Sequence, residues 1–257
     1  MWIEAPDHRL VIFGAVLAAC LVFETLRPRR QLTADRRHRW TINFAMGVIN
    51  VIVLRLAVPA GLLGIAAMRP EMLLSDPRLG YWGSIALTLL VFDLAIYAQH
   101  RLFHRIDVLW AFHRIHHTDR DLDTSSALRF HVGEYVFSFV YKAALVWLLA
   151  PRPEAILLFE ILLSSFALFN HSNGSLGAFD QIFAKLIVTP DMHRLHHSTQ
   201  PGEANQNFGF CLSLWDRVFR SYRSHPERPM ATLPLGVEDD READSLMGRI
   251  LEPLRRL

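Results

Sequence analysis

A chain of 257 residues that is 51% hydrophobic, with a mean hydropathy of +0.20, is too apolar for an ordinary soluble domain of its length. Its 27 basic and 25 acidic residues leave a net charge of +2, which provides no electrostatic footprint for nucleic acid. The two cysteines, Cys20 and Cys211, lie far apart in unlike surroundings and make neither a disulfide framework nor a thiolate metal site.

The composition instead predicts one all-α membrane domain over residues 1–257. The first apolar run, 10–26, follows the acidic residues Glu4 and Asp7 rather than a basic leader. It runs into Arg27, Arg29, Arg30, Arg36, Arg37 and Arg39 rather than a cleavage site, so it reads as a retained anchor. The second run, 42–68, is long and carries Pro59, which predicts a kinked helix or a helix followed by a re-entrant piece. A third run covers 82–99. The fourth and fifth, 132–150 and 155–169, form a hairpin turning at Pro151 and Pro153. Most of these approach the roughly 20 residues that a helix needs to cross a hydrocarbon core.

Arginine bias sets the orientation. The loop from Arg27 to Arg39, the segment containing Arg101, Arg105, Arg114, Arg120 and Arg129, and the segment from Arg194 onward all fall on one side, predicted to be cytoplasmic. Residues 224–257 read as a proline- and charge-rich tail with one short helix near 243–251 and no assigned chemistry. Trp215, Val218, Phe219 and Tyr222, interleaved with Arg217, Arg220 and Arg223, have the pattern of an amphipathic helix at the interface.

Three histidine clusters lie on the cytoplasmic face: His100 and His104; His113, His116 and His117; His193, His196 and His197. On a helix, positions i, i+3 and i+4 share a face, so each cluster aims its imidazoles one way. With 13 histidines in the chain, a single His-x-x-His-His is expected about 0.03 times by composition, and this sequence has two. Eight imidazoles exceed the capacity of one ion, so two ions share them. No His-Glu-x-x-His is present, which disfavours a zinc hydrolase, and closed structural zinc sites use four ligands. Asp93, Tyr97, His100 and His104 lie on one helical stripe, so Asp93 is expected to orient a ligating ring. Asn170, Asn173 and Asn207 are further candidates for that role. Arg101, Arg114 and Arg194 point away from the histidine face, toward headgroups or carboxylates.

In these histidines, and in their order, the chain resembles the fatty acid hydroxylase / sterol desaturase superfamily of membrane di-iron enzymes. The resemblance extends to Leu109 and Trp110 before His113, and to Arg129, Phe130 and His131. It continues through Phe169, Asn170, His171 and Asn173, then Thr189, Pro190 and Asp191 before His193, and finally Asn207, Gly209, Trp215, Asp216 and Phe219. It covers about residues 92–222. Val132, Phe208 and Arg220 stand where relatives often have proline, tyrosine and glycine. The resemblance implies a helical membrane domain under a cytosolic, histidine-rich metal-binding cap, with His131 and His171 as ninth and tenth ligands. It also implies two iron ions, which zinc can replace.

The activity expected is oxygen-dependent hydroxylation, rather than desaturation, of a lipid alkyl chain or sterol-like substrate in the membrane, the bacterial inner membrane if the source is bacterial. No flavin, haem or iron–sulfur motif is present, so the electrons come from a separate reductase, ferredoxin or cytochrome. Aromatic residues of the spans, Phe137, Phe139, Phe159 and Phe166, are candidate walls for an alkyl tunnel. The alternatives are a zinc-dependent lipid hydrolase and a membrane metal-binding or transport protein.

Overall fold

A computed structural model describes residues 6–70, 72–200, 202–238 and 245–256. Eleven α-helices are formed among them, with only isolated β-bridges between extended segments. In chain order they are α1 (Pro6–Leu26), α2 (Arg36–Ala57), α3 (Gly61–Ala67), α4 (Gly80–Arg105), α5 (Asp107–His117) and α6 (Val132–Leu149). They continue as α7 (Pro153–His171), α8 (Asp180–Phe183), α9 (Pro190–His196), α10 (Leu214–Val218) and α11 (Leu246–Leu251).

Five segments are long and apolar enough to cross a membrane: His8–Leu26, Arg36–Ala67, Pro77–Arg105, Val132–Leu149 and Pro153–His171. The second is broken as its proline requires. α2 stops at Val58, and α3 restarts beyond Pro59. Two spans extend past their apolar runs. Asp35 caps α2 by accepting from the Arg37 backbone N–H at 3.0 Å, so the helix begins a turn and a half before Ile42. α4 continues to Arg105 because its polar end turns inward onto other polar groups instead of fraying.

α7 is the central element, packing on α1, α3, α4 and α9. Between α3, α4, α6 and α7 lies a core of Leu62, Phe92, Ile96, Val146, Ile156 and Phe159. Phe92 and Phe159 meet edge to face at 5.1 Å. The outward faces remain apolar and exposed, with Val11, Val48, Ile52, Leu56 and Leu148 among them, as hydrocarbon contact requires.

Above one end of the spans, a cap is organised around buried charge. Arg39 pairs with Asp119 at 2.6 Å and Asp123 at 2.8 Å and also donates to the Asp121 carbonyl. Asn43 donates to Asp119 and Ser125, and Arg129 donates to Asn43 Oδ1 and Thr118 Oγ1. Glu24 at the end of α1 accepts from the Thr124 backbone and hydroxyl and from the Asn173 backbone. This network locks the chain between α5 and α6, the connection that bounds the second histidine cluster. At Gly174 an added Cβ would fall 1.9 Å from the Phe23 ring, so only glycine lets the chain after α7 pass the end of α1.

The segment read as a loose tail is part of this cap. Met230, Leu233 and Leu235 form a core with Leu122 and Leu195. α11 covers the second part of the expected helix, whose first residues, 243 and 244, lie outside the described chain. Arg249 and Glu252 are buried, and Glu252 pairs with the fully buried Arg114 of α5. The amphipathic stretch is the short α10. Trp215 is buried, while Val218 and Phe219 face outward.

Candidate metal centre

Each histidine cluster occupies a helix that the local sequence positions. The last two turns of α4 carry His100 and His104, α5 carries His113, His116 and His117, and α7 ends on His171. Thr189 caps α9 by accepting from the Met192 backbone at 3.3 Å, and Pro190 fills its first position. His193 and His196 follow on its inner face, with His197 at its C-terminus.

Nine of the ten predicted ligands converge into two groups. One contains His100, His104, His113, His117 and His196; the other contains His116, His171, His193 and His197. Within each, the candidate ligand atoms lie within 4.8 Å of one another. The groups adjoin, with the His117 and His197 rings stacked at 4.2 Å. All nine are buried except His104, which is partly so. No carboxylate belongs to either group among the described residues.

Tautomers follow from the hydrogen bonds. The Nδ1 atoms of His100, His116, His171 and His196 face the carbonyls of Phe208 (2.9 Å), Arg129 (3.3 Å), Ala167 (2.7 Å) and Gln206 (2.8 Å). A carbonyl only accepts, so each Nδ1 carries the hydrogen and each Nε2 presents a lone pair. His113 Nδ1 lies 2.7 Å from Glu134 Oε1, with the same effect. The Nε2 atoms of His193 and His197 gather at the same point, His193 lying 3.0 Å from Nε2 of His171 and 3.2 Å from His197, while their Nδ1 atoms are buried without a partner. The bare Nε2 atoms of His171 and His116 are 2.9 Å apart. Lone pairs at such separations repel unless a cation lies between them. Nitrogens about 2.0–2.1 Å from a shared ion lie roughly 3 Å apart, so the spacing fits a metal ion. Nε2 of His104 and of His196 are also buried without a hydrogen-bond partner. Burial, reinforced by neighbouring rings, holds His113, His116, His117, His193, His196 and His197 well below the usual imidazole range, in the neutral form that ligates metal.

His131 is not brought into either group. Its Nδ1 accepts from the Gly133 backbone at 2.9 Å, capping α6, and its Nε2 lies 3.0 Å from the Ile250 carbonyl. Both ring nitrogens are engaged, so its place is structural.

The expected orienting residues also act elsewhere. Asp93 accepts from the Cys211 and Leu212 backbones at 3.1 Å and from Trp215 Nε1 at 2.9 Å, anchoring α10 to α4 rather than a histidine. Asn170 donates to the Phe210 carbonyl, Asn173 to the Arg30 carbonyl, and Asn207 to the carbonyls of Met192 and Arg223. These asparagines hold the segments that surround the histidines and touch no imidazole nitrogen. Arg114 and Arg194 do find carboxylates, Glu252 and Asp191, but inside the cap, and Arg101 donates to the Tyr97 hydroxyl. Glu134 was missed. A carboxylate three residues into an apolar run was the available signal.

A cavity of about 470 Å³ runs from His100, His113, His116, His171 and His193 into the spans, large enough for a lipid chain. Phe139 lines it. Phe159 instead belongs to the core, Phe137 packs on Phe103 and Phe166 packs on Phe169.

Fold and site together define a membrane-embedded helical protein whose cap is built to hold metal between inward-facing imidazoles. The chain belongs to the fatty acid hydroxylase family, whose model matches residues 85–221, more than half of it. It is 26% identical to the ornithine lipid hydroxylase OlsE of Rhizobium tropici over 96% of this chain and 75% of that one. It is 30% identical to the alkylglycerol monooxygenase of Danio rerio, over 59% of this chain and 33% of that protein, and 25% identical to the cholesterol 25-hydroxylase of Rattus norvegicus, over 55% and 47%. No solved structure matches. Membership of this family makes the chain an enzyme of the hydroxylase type.

Proposed function

We propose that the protein is an oxygen-dependent di-iron monooxygenase that hydroxylates an alkyl carbon of a membrane lipid. The observation that carries the reading is the convergence of bare Nε2 atoms in two adjoining groups at the end of an apolar, lipid-sized cavity. Five nitrogens from one group and four from the other would hold the two ions. An iron pair there, given dioxygen and two electrons from a separate reductase, ferredoxin or cytochrome, supplies the oxidising power that an unactivated C–H bond demands.

The chain's own residues do the rest. The carbonyls of Phe208, Arg129, Ala167 and Gln206 fix ring orientation, and Glu134 fixes His113. Phe103, Phe130 and Leu168 line the cavity beside the histidines and exclude water from the reacting end. The relatives named as hydroxylases and monooxygenases support hydroxylation over desaturation. The arginine-rich loop from Arg27 to Arg39 supports a cytoplasmic position for the cap, within reach of a soluble electron donor.

The test is isotopic. Membranes containing the protein, a reductase system and labelled dioxygen should yield lipid carrying the label in a new hydroxyl group, and purified protein should contain about two irons per chain. Label entering instead from water, or product formed without oxygen, would make the centre hydrolytic and overturn the reading.

A further inference from the structure

The cavity carries charge at its far end. Three helices present stripes at i, i+3/i+4 spacing that begin near the histidines and end on a basic or acidic side chain. α2 contributes Gly47, Asn50, Val51 and Leu54, then Arg55. α6 contributes Glu134, Tyr135, Ser138 and Phe139, then Lys142. α7 runs back from His171 through Ala167, Leu168 and Ser164 to Glu160. Arg9 of α1 completes the cluster, 3.0 Å from Glu160. At 1.5 Å per residue, Lys142 is about 12 Å along α6 from Glu134, and Glu160 about 16 Å along α7 from His171. The charges therefore sit within the apolar thickness, well away from the metal groups.

Their balance is uneven. Two arginines and a lysine face one carboxylate, and Arg9 approaches that carboxylate to 3.0 Å. Half-buried Lys142 lies near enough to interact with both Arg9 and Glu160, but makes no hydrogen bond or ion pair with the described residues; neither does Arg55, which lines the cavity from a more exposed position. Uncompensated positive charge beside an apolar cavity is costly unless a ligand supplies the counter-charge.

We propose that Lys142 and Arg55, with Arg9 held by Glu160, bind the anionic head of the substrate, so that the enzyme takes an amphiphile bearing a carboxylate or phosphate. The inference rests on the hydroxylase reading and adds the substrate class. With the head at this cluster, an extended chain advancing about 1.3 Å per carbon brings a position on the order of ten carbons away to the histidines. Glu160 keeps Arg9 in place and prevents the cluster from repelling itself apart. A zwitterionic or neutral head would leave the surplus charge unanswered.

Binding tests this without turnover. Palmitate, hexadecyl phosphate and hexadecanol are compared by displacement of one fluorescent fatty-alcohol probe from the full chain in micelles. Wild type should hold at least one of the two anions about tenfold more tightly than hexadecanol, and the stronger anion identifies the head. Lys142→Met should reduce that ratio to near unity with hexadecanol affinity unchanged, while Lys142→Arg retains it, separating charge from packing. Equal binding of all three by wild type, or preference undiminished in both Lys142→Met and Arg55→Met, would overturn the proposal. Because no hydroxylation is measured, discrimination in a protein that fails the isotope test condemns only the hydroxylase reading. A protein that passes that test but binds all three alike condemns only this one.

Discussion

Glu134 Oε1 lies 2.7 Å from Nδ1 of His113, the one imidazole of the nine whose outer nitrogen meets a carboxylate. The contact fixes the direction of that ring's Nε2, and a carboxylate there makes the ring a stronger donor to a bound cation, which in turn favours the ionised carboxyl. Glu134 Oε2 is buried without a partner, so the arrangement keeps a costly group for the sake of one bond.

Glu134→Gln should therefore weaken metal binding about 10- to 100-fold while leaving the helical fold intact. Competition against a chelator of known affinity measures it. Unchanged metal retention would reduce Glu134 to a packing residue.

His171 and His131 should separate cleanly. His171→Ala removes one of four nitrogens from its group and should lower metal content toward one ion per chain. His131→Ala should leave metal content unaltered but lose the cap on α6, at a cost of about 1 kcal/mol. Metal analysis and thermal unfolding of the two variants, side by side, decide between a nine- and a ten-histidine set.

Asp216 accepts from the Phe208 and Gly209 backbones at 2.8 and 2.7 Å and from Ser221 at 2.7 Å, yet burial pushes its carboxyl up to about 6. An added Cβ at Gly209 would fall 2.7 Å from that carboxylate. Since the folded value exceeds the ordinary one of about 4, the folded chain holds a proton there that the unfolded chain has released. Its contribution is fully present below about pH 4 and is lost as pH rises through about 6, a total on the order of 3 kcal/mol. Unfolding free energies of wild type minus Asp216→Asn should fall by about this much between pH 4 and pH 7; a flat difference would mean that burial does not raise this carboxyl.

Arg114 follows His113 directly and is fully buried against Glu252. Glu252→Ala takes that carboxylate from two buried guanidiniums, Arg114 and Arg249, and should cost roughly 3 kcal/mol or more. Pairing it with Arg114→Met should recover only part of the loss, because Arg249 still lacks it. Melting temperatures of the single and double variants provide the check.

The spans and the histidine clusters were legible because their signals are local: apolar runs of membrane length, and rings repeated at helical spacing on a single face. His171 came only through family resemblance, since it stands alone in sequence and reaches its group through the packing of α7 against α9. His131, expected on the same grounds, stands apart from both groups, because one histidine caps a helix as readily as it binds metal. Asp93 shares a stripe with His100, but a shared stripe does not specify the neighbour, and its oxygens meet backbone supplied more than a hundred residues later. The same distance hid the roles of residues 230–235 and 249–252. Their apolar side chains are too sparse to show a period, although Leu233 is completely buried.

The contacts of Ile250 and Glu252 with His131 and Arg114 have a consequence for biogenesis. The helix bearing three of the imidazoles is translated more than a hundred residues before the segment that braces it, so a nascent chain already threaded into the bilayer still has an unfinished roof. Cation loading should then be a late event that follows insertion, and premature termination near residue 240 should release an apoprotein vulnerable to quality-control proteases.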